Sequence, residues 1–93
     1  MNGEAFQKAV LLDKRAEVEQ MLDTPFGERL FEIPDKMGNL PLQLAIIKNN
    51  IEMVELLIRL GADVNAKNDN SKTSLMLAAF YGNHHLLKIL NFY

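Results

Sequence analysis

The sequence predicts an all-α solenoid of stacked helix-turn-helix units joined by short hairpin-like loops, and three observations predict it. The chain resembles itself at a spacing of 33 residues: Asp35–Lys67 laid over Asn68–Tyr93 puts Leu42 on Leu75, Leu44 on Leu77, Ala45 on Ala78, Asn50 on Asn83 and Leu57 on Leu90. A period in that range belongs to repeat architectures, in which each unit covers its neighbour's apolar face. Within one period, Val54, Leu57 and Ile58 fall on one helical stripe while Glu52, Glu55 and Arg59 are left for water. Asn, Gly and Pro then stand where such helices would begin and end.

The units follow in order. A divergent copy opens the chain at a spacing of 36, with Phe6 answering Leu42, Gln7 answering Gln43, Ala9 answering Ala45 and Val18 answering Val54. Its additional residues fall in Asp23–Pro34, read as a longer connection. Residues 1–34 therefore read as a capping unit, and Glu4, Gln7, Lys8, Lys14, Arg15, Glu17 and Glu19 supply the water-facing side that a terminal unit needs. In the second unit, 35–67, Leu40-Pro41-Leu42 opens a helix to about Lys48, with Pro41 in the first turn, where a missing N–H costs nothing. Asn49-Asn50 suits a left-handed turn followed by an N-cap for a second helix over Ile51–Leu60, and Gly61 suits its C-cap. Asp63–Asn70 is polar and turn-rich, with little or no true sheet expected. In the third unit, 68–93, Thr73 stands as N-cap and Gly82-Asn83 repeats the turn, and the sequence stops inside the second helix.

These residues resemble a known family. Gly38-x-x-Pro41-Leu42-x-Leu44-Ala45, Glu52-x-Val54-x-Leu56-Leu57 and above all Gly61-Ala62-Asp63-Val64-Asn65-Ala66 look like the ankyrin repeat, most clearly from Asp35 to Leu90. The resemblance implies one ankyrin-repeat domain with β-hairpin fingers between helix pairs, acting as a non-catalytic module that binds another protein. It also implies where: at the finger tips and the exposed side of each first helix, which line a concave groove. Carried over by alignment, the tip positions are Lys36, Met37, Asn39, Lys67, Asp69, Asn70 and Lys72. The helix positions are Ile47, Lys48, Phe80 and Tyr81, with Leu11 and Leu12 in the capping unit. Leu11, Ile47 and Phe80 form an apolar row at one repeat position, which either anchors a partner or completes the core.

Two departures from the family pattern matter. Neither Leu40-Pro41-Leu42-Gln43 nor Thr73-Ser74-Leu75-Met76 keeps the family's Thr-Pro-Leu-His, which implies a weakened polar network at about 1 kcal/mol per hydrogen bond lost. The sequence also ends before a Gly-Ala-Asp turn, leaving Met76, Leu86, Ile89, Leu90 and Phe92 as an expected open face. The expectation is a piece of a longer array, or self-association through that face. A regulatory or accessory domain of a larger enzyme is the further alternative.

Composition narrows the rest. A chain of 93 residues allows one small domain, burying roughly two-thirds of its unfolded surface. A net charge of −2 gives no basis for electrostatic binding of nucleic acid. No apolar run approaches the ~18 residues of a membrane span, and the charged start is unlike a secretory signal. Without cysteine there is no disulfide, zinc-thiolate site or thiol nucleophile; cytosol or nucleus is the expected location. No cofactor, metal or catalytic residue is expected either. His84 and His85 are neighbours on a helix, pointing about 100° apart, so they do not chelate one ion. Asp35, Asp63 and Asp69 fall where Asp caps turns. Ser71-Lys72-Thr73-Ser74 lacks the glycines of a phosphate loop.

Overall fold

The computed structural model describes residues 3–93. Three antiparallel helix pairs follow one another: α1 (Gly3–Leu11) with α2 (Arg15–Leu22), α3 (Pro41–Ile47) with α4 (Ile51–Arg59), and α5 (Ser74–Phe80) with α6 (His84–Phe92). The first helices lie side by side, α3 packing against both α1 and α5. Among the described residues the only β-pairing is an isolated antiparallel bridge, Lys67 to Thr73. The expected all-α solenoid of three units is therefore what the chain forms.

Each helix boundary has a local cause. Asn50 and Asn83 accept the N–H of Met53 and Leu86 at 3.2 and 3.0 Å, and Thr73 accepts that of Met76 at 3.2 Å. Each satisfies one of the donors a helix start leaves open. The turn after each first helix is a Schellman motif. Lys14, Asn50 and Asn83 donate their N–H to the carbonyls of Ala9, Ala45 and Ala78, at 2.9, 3.0 and 3.0 Å. The residue before each of those donors takes the left-handed conformation: Asp13 (φ 59°), Asn49 (φ 57°) and Gly82 (φ 68°). Gly61 (φ 114°) ends α4 in the same way, with Ala62 N–H on the Leu57 carbonyl at 2.9 Å.

The core runs through all three units. Phe6, Val18, Met53, Val54, Leu57, Ala78 and Leu86 have no exposed surface. Met53 and Leu56 are buried beside Val54 and Leu57, so the inward face of α4 is wider than the stripe read from sequence. The connection between the first two units, expected to be a plain loop, contains a 3₁₀ helix, Gly27–Glu32. It buries Leu30 and Phe31, and the Phe31 ring meets Phe6 edge-on at 6.1 Å between centroids. The longer connection thus adds core to the first unit.

Side-chain bonds tie the units together. On the helix-turn side Asn50 Nδ2 donates to Asp13 Oδ1 at 3.0 Å, and Asn83 Nδ2 donates to Asn49 Oδ1. Arg15 reaches both Asp13 and Glu52. The Arg15 and Asn50 hydrogen bonds hold the Asp13 carboxyl below its usual range. A depressed carboxylate contributes stability that is present above its unfolded pKa and lost as pH falls through its folded one. Stability should therefore decline on acidification below the ordinary carboxylate range, with part of the slope removed in Asp13→Asn, which keeps the left-handed turn. Chemical denaturation at a series of acidic pH values checks this; identical slopes would show that the pairing contributes nothing.

Candidate protein-binding surface

The fingers are built by two equivalent turns. Asp35 Oδ1 accepts the N–H groups of Met37 and Asn39, both at 2.9 Å. One period on, Asn68 Oδ1 accepts those of Asn70 and Lys72, at 2.9 and 3.0 Å. The turn-capping carboxylates of the sequence are thus Asp35 and Asp63, whose Oδ1 accepts from Asn65 at 2.9 Å. Asn68, not Asp69, serves the second finger. The two fingers also bond to each other, through Asp69 N–H on the Gly38 carbonyl (3.0 Å) and Asn68 Nδ2 on Asn39 Oδ1 (2.9 Å). Gly38 permits this approach: its φ is 86°, and a Cβ there would lie 2.8 Å from the Asp69 Cβ.

These turns hold Lys36, Met37, Lys67, Asp69, Asn70 and Lys72 in solvent, with Met37 75% exposed. Asn39 is the exception among the tip positions. It is half-buried and its amide oxygen is taken by Asn68, so it joins fingers and is withdrawn from the binding set.

The helix row divides. Ile47 is half-buried, whereas Lys48 is exposed. Leu11 is 40% exposed, and Phe80 and Tyr81 are 79% and 52% exposed. The two rings pack edge to face at 5.1 Å between centroids, an arrangement that holds both in place as one aromatic ledge. At the other end of the row, between α1 and residues 33–36, lies a cleft of about 540 Å³ lined by Gln7, Lys8, Leu11, Ile33, Pro34 and Lys36. Gln7 Nε2 donates to the Ile33 carbonyl at 3.0 Å and so fixes one wall. Ile33 and Pro34 gave no sequence signal because they lie in the connection that breaks the period. Lys8 was readable, since it aligns with Leu44 and Leu77 on the groove side.

The expected self-association face needs correction. Leu86 is fully buried and Leu90 is 6% exposed, both inside the core of their own unit, and Ile89 is packed against that core. The exposed apolar residues there are Leu75, Met76 and Phe92, at 40, 50 and 89%. Leu75 and Met76 align with Leu42 and Gln43, which are 4 and 0% exposed because the third unit stacks on them.

Gln43 also alters the expectation of a weakened polar network. Its Oε1 accepts the Leu40 N–H at 2.8 Å, the reciprocal half of a capping box, and its Nε2 donates to the Lys72 carbonyl at 3.0 Å. In the second unit glutamine therefore does both jobs, within the helix and across to the next finger. Met76 has no equivalent.

A family profile for ankyrin repeats in three copies matches residues 8–92. The chain belongs to the ankyrin-repeat family. Its relatives include inversin of Gallus gallus, 36% identical over 56 residues, which covers 60% of this chain and 5% of inversin. The transient receptor potential cation channel subfamily A member 1 of Homo sapiens is 39% identical over 56 residues, again 60% of this chain and 5% of the channel. A putative ankyrin repeat protein of fowlpox virus is 43% identical over 51 residues, 55% of this chain and 12% of the viral protein. The likeness thus spans a small fraction of each relative, 5–12% of its length. Ankyrin repeats are in general protein-protein interaction modules, and the family is typically non-catalytic.

Proposed function

We propose that this ankyrin domain binds a partner protein through its concave surface, with Phe80 and Tyr81 as the anchor and the finger tips as a polar rim. The observation that carries this reading is the aromatic ledge: two large rings, mutually packed and more than half exposed, beside finger tips rich in lysine, asparagine and aspartate. Ordered aromatic side chains on a polar-rimmed patch are where interface energy concentrates, because burying them displaces much water at little conformational cost. Leu11 and Met37 extend the apolar area toward the first unit.

Phe80→Ala combined with Tyr81→Ala should weaken binding of a display-selected partner by at least about 2 kcal/mol, the scale of a hot spot. Stability should change by no more than about 0.5 kcal/mol for each substitution, since both side chains are exposed. Calorimetric titration alongside thermal melts checks both. Unchanged affinity in a folded double variant would move the site elsewhere.

A further inference from the structure

We infer that the segment this surface takes is acidic, with a large apolar residue among its carboxylates; the inference rests on the concave-surface reading and adds the partner's chemistry. The chain as a whole carries −2, yet its charges are segregated. Lys8, Lys36, Lys48, Lys67 and Lys72 belong to the fingers and the exposed side of the first helices, where the carboxylates are Glu4, Asp35 and Asp69. Asp35 is already engaged by its own turn, accepting from Met37 and Asn39. The remaining nine carboxylates and five cations of the sequence lie on the second helices, the turns before them and the connecting segments. The groove side is therefore net positive and the rest net negative. All five lysines are exposed and none is in an ion pair among the described residues, whereas Lys14 and Arg15 on the outer side are paired with Glu17, Asp13 and Glu52. Unpaired cations around an apolar ledge favour a partner that brings carboxylates to them.

The geometry also limits the size of that partner. Three first helices side by side, about 10 Å apart, put the two ends of the Leu11–Ile47–Phe80 row roughly 20 Å apart. An extended chain covers that in about six residues. The cleft lined by Lys8, Leu11 and Lys36 and the ledge at Phe80 and Tyr81 are the two places for an apolar side chain.

The test selects peptides of about twelve residues, twice the length of the row, from a random displayed library on the immobilised chain. Affinities of the selected sequences are then measured by fluorescence anisotropy. The expected sequences are rich in Asp and Glu around an aromatic or aliphatic residue. Their affinity should fall at least about fivefold between about 50 and 500 mM NaCl, as charge screening requires. Lys48→Glu with Lys72→Glu should weaken them at least about tenfold, while Arg59→Glu with Lys88→Glu on the outer helices should change affinity less than about twofold. Selected peptides that are neutral or basic but lose affinity in the Phe80→Ala, Tyr81→Ala variant would overturn the acidic chemistry and leave the concave site standing. Peptides indifferent to that variant, or a selection that enriches nothing, would overturn both. A single-stranded oligonucleotide binding as tightly as the best acidic peptide would assign the lysines to phosphate recognition and end the proposal.

Discussion

Phe6→Ala should cost about 3–5 kcal/mol, enough to leave the domain largely unfolded at room temperature. The ring has no exposed surface and meets Phe31 edge-on, so its loss opens a cavity between α1 and the 3₁₀ helix, and the Phe31 contact goes with it. The repeat supplies its own controls, because Leu42 and Leu75 occupy the same position in the next two units. Leu42 is 4% exposed and Leu75 is 40% exposed. Leu42→Ala should fall within the usual range of about 2–5 kcal/mol for a core leucine. Leu75→Ala should cost about 1 kcal/mol or less, since roughly half its surface already meets water. Urea denaturation of the three variants checks the gradient. Equal losses at Leu42 and Leu75 would show that burial by the following unit does not set the cost.

Gln43→Met should destabilise by about 1–3 kcal/mol although it changes volume little and adds no charge. The amide is fully buried and answers both Leu40 N–H and the Lys72 carbonyl. A thioether there leaves the Leu40 N–H unsatisfied, and a buried orphan costs about 1–3 kcal/mol, whereas the Lys72 carbonyl keeps the Asn68 N–H at 2.9 Å. The sequence has made the comparison at the aligned position, where Met76 stands half-exposed with no finger stacked on it. Met76→Gln should therefore be neutral within about 0.5 kcal/mol. The asymmetry is read from midpoint shifts of the two variants under identical conditions. A Gln43→Met protein as stable as the parent would mean the Leu40 N–H finds another partner.

Much of this fold was legible in the residues. Asn50, Asn83, Thr73, Pro41 and Gly61 announce their helix ends through local chemistry that no distant contact has to confirm, and all five occupy those ends. What was illegible lay outside the period. The 3₁₀ helix at Gly27–Glu32 has no copy to align with, and a single apolar turn such as Leu30-Phe31 carries no periodicity of its own. The burial of Leu86 and Leu90 follows from the period. They align with Met53 and Leu57, both fully buried, so their place is the interior of their own unit rather than the face it offers to the next. The candidate surface was legible in its apolar members Phe80, Tyr81 and Met37. Asn39 was misplaced because its partner, Asn68, comes from the neighbouring finger, which only stacking brings near.

The second and third units are bonded to each other along both edges: at the fingers by Asn39–Asn68 and Gly38–Asp69, and at the helix turns by Asn49–Asn83. Between the first and second units the turn edge carries Asn50–Asp13 and Arg15–Glu52. A groove fastened on both sides cannot change its width without breaking hydrogen bonds. In the proposed binding mode the groove is therefore set before a partner arrives, and the entropy of ordering falls mainly on the incoming segment. Affinity in this region should follow how nearly straight a ligand is while still free. A stiffened, extended sequence would gain on a flexible one of identical composition without a single added contact.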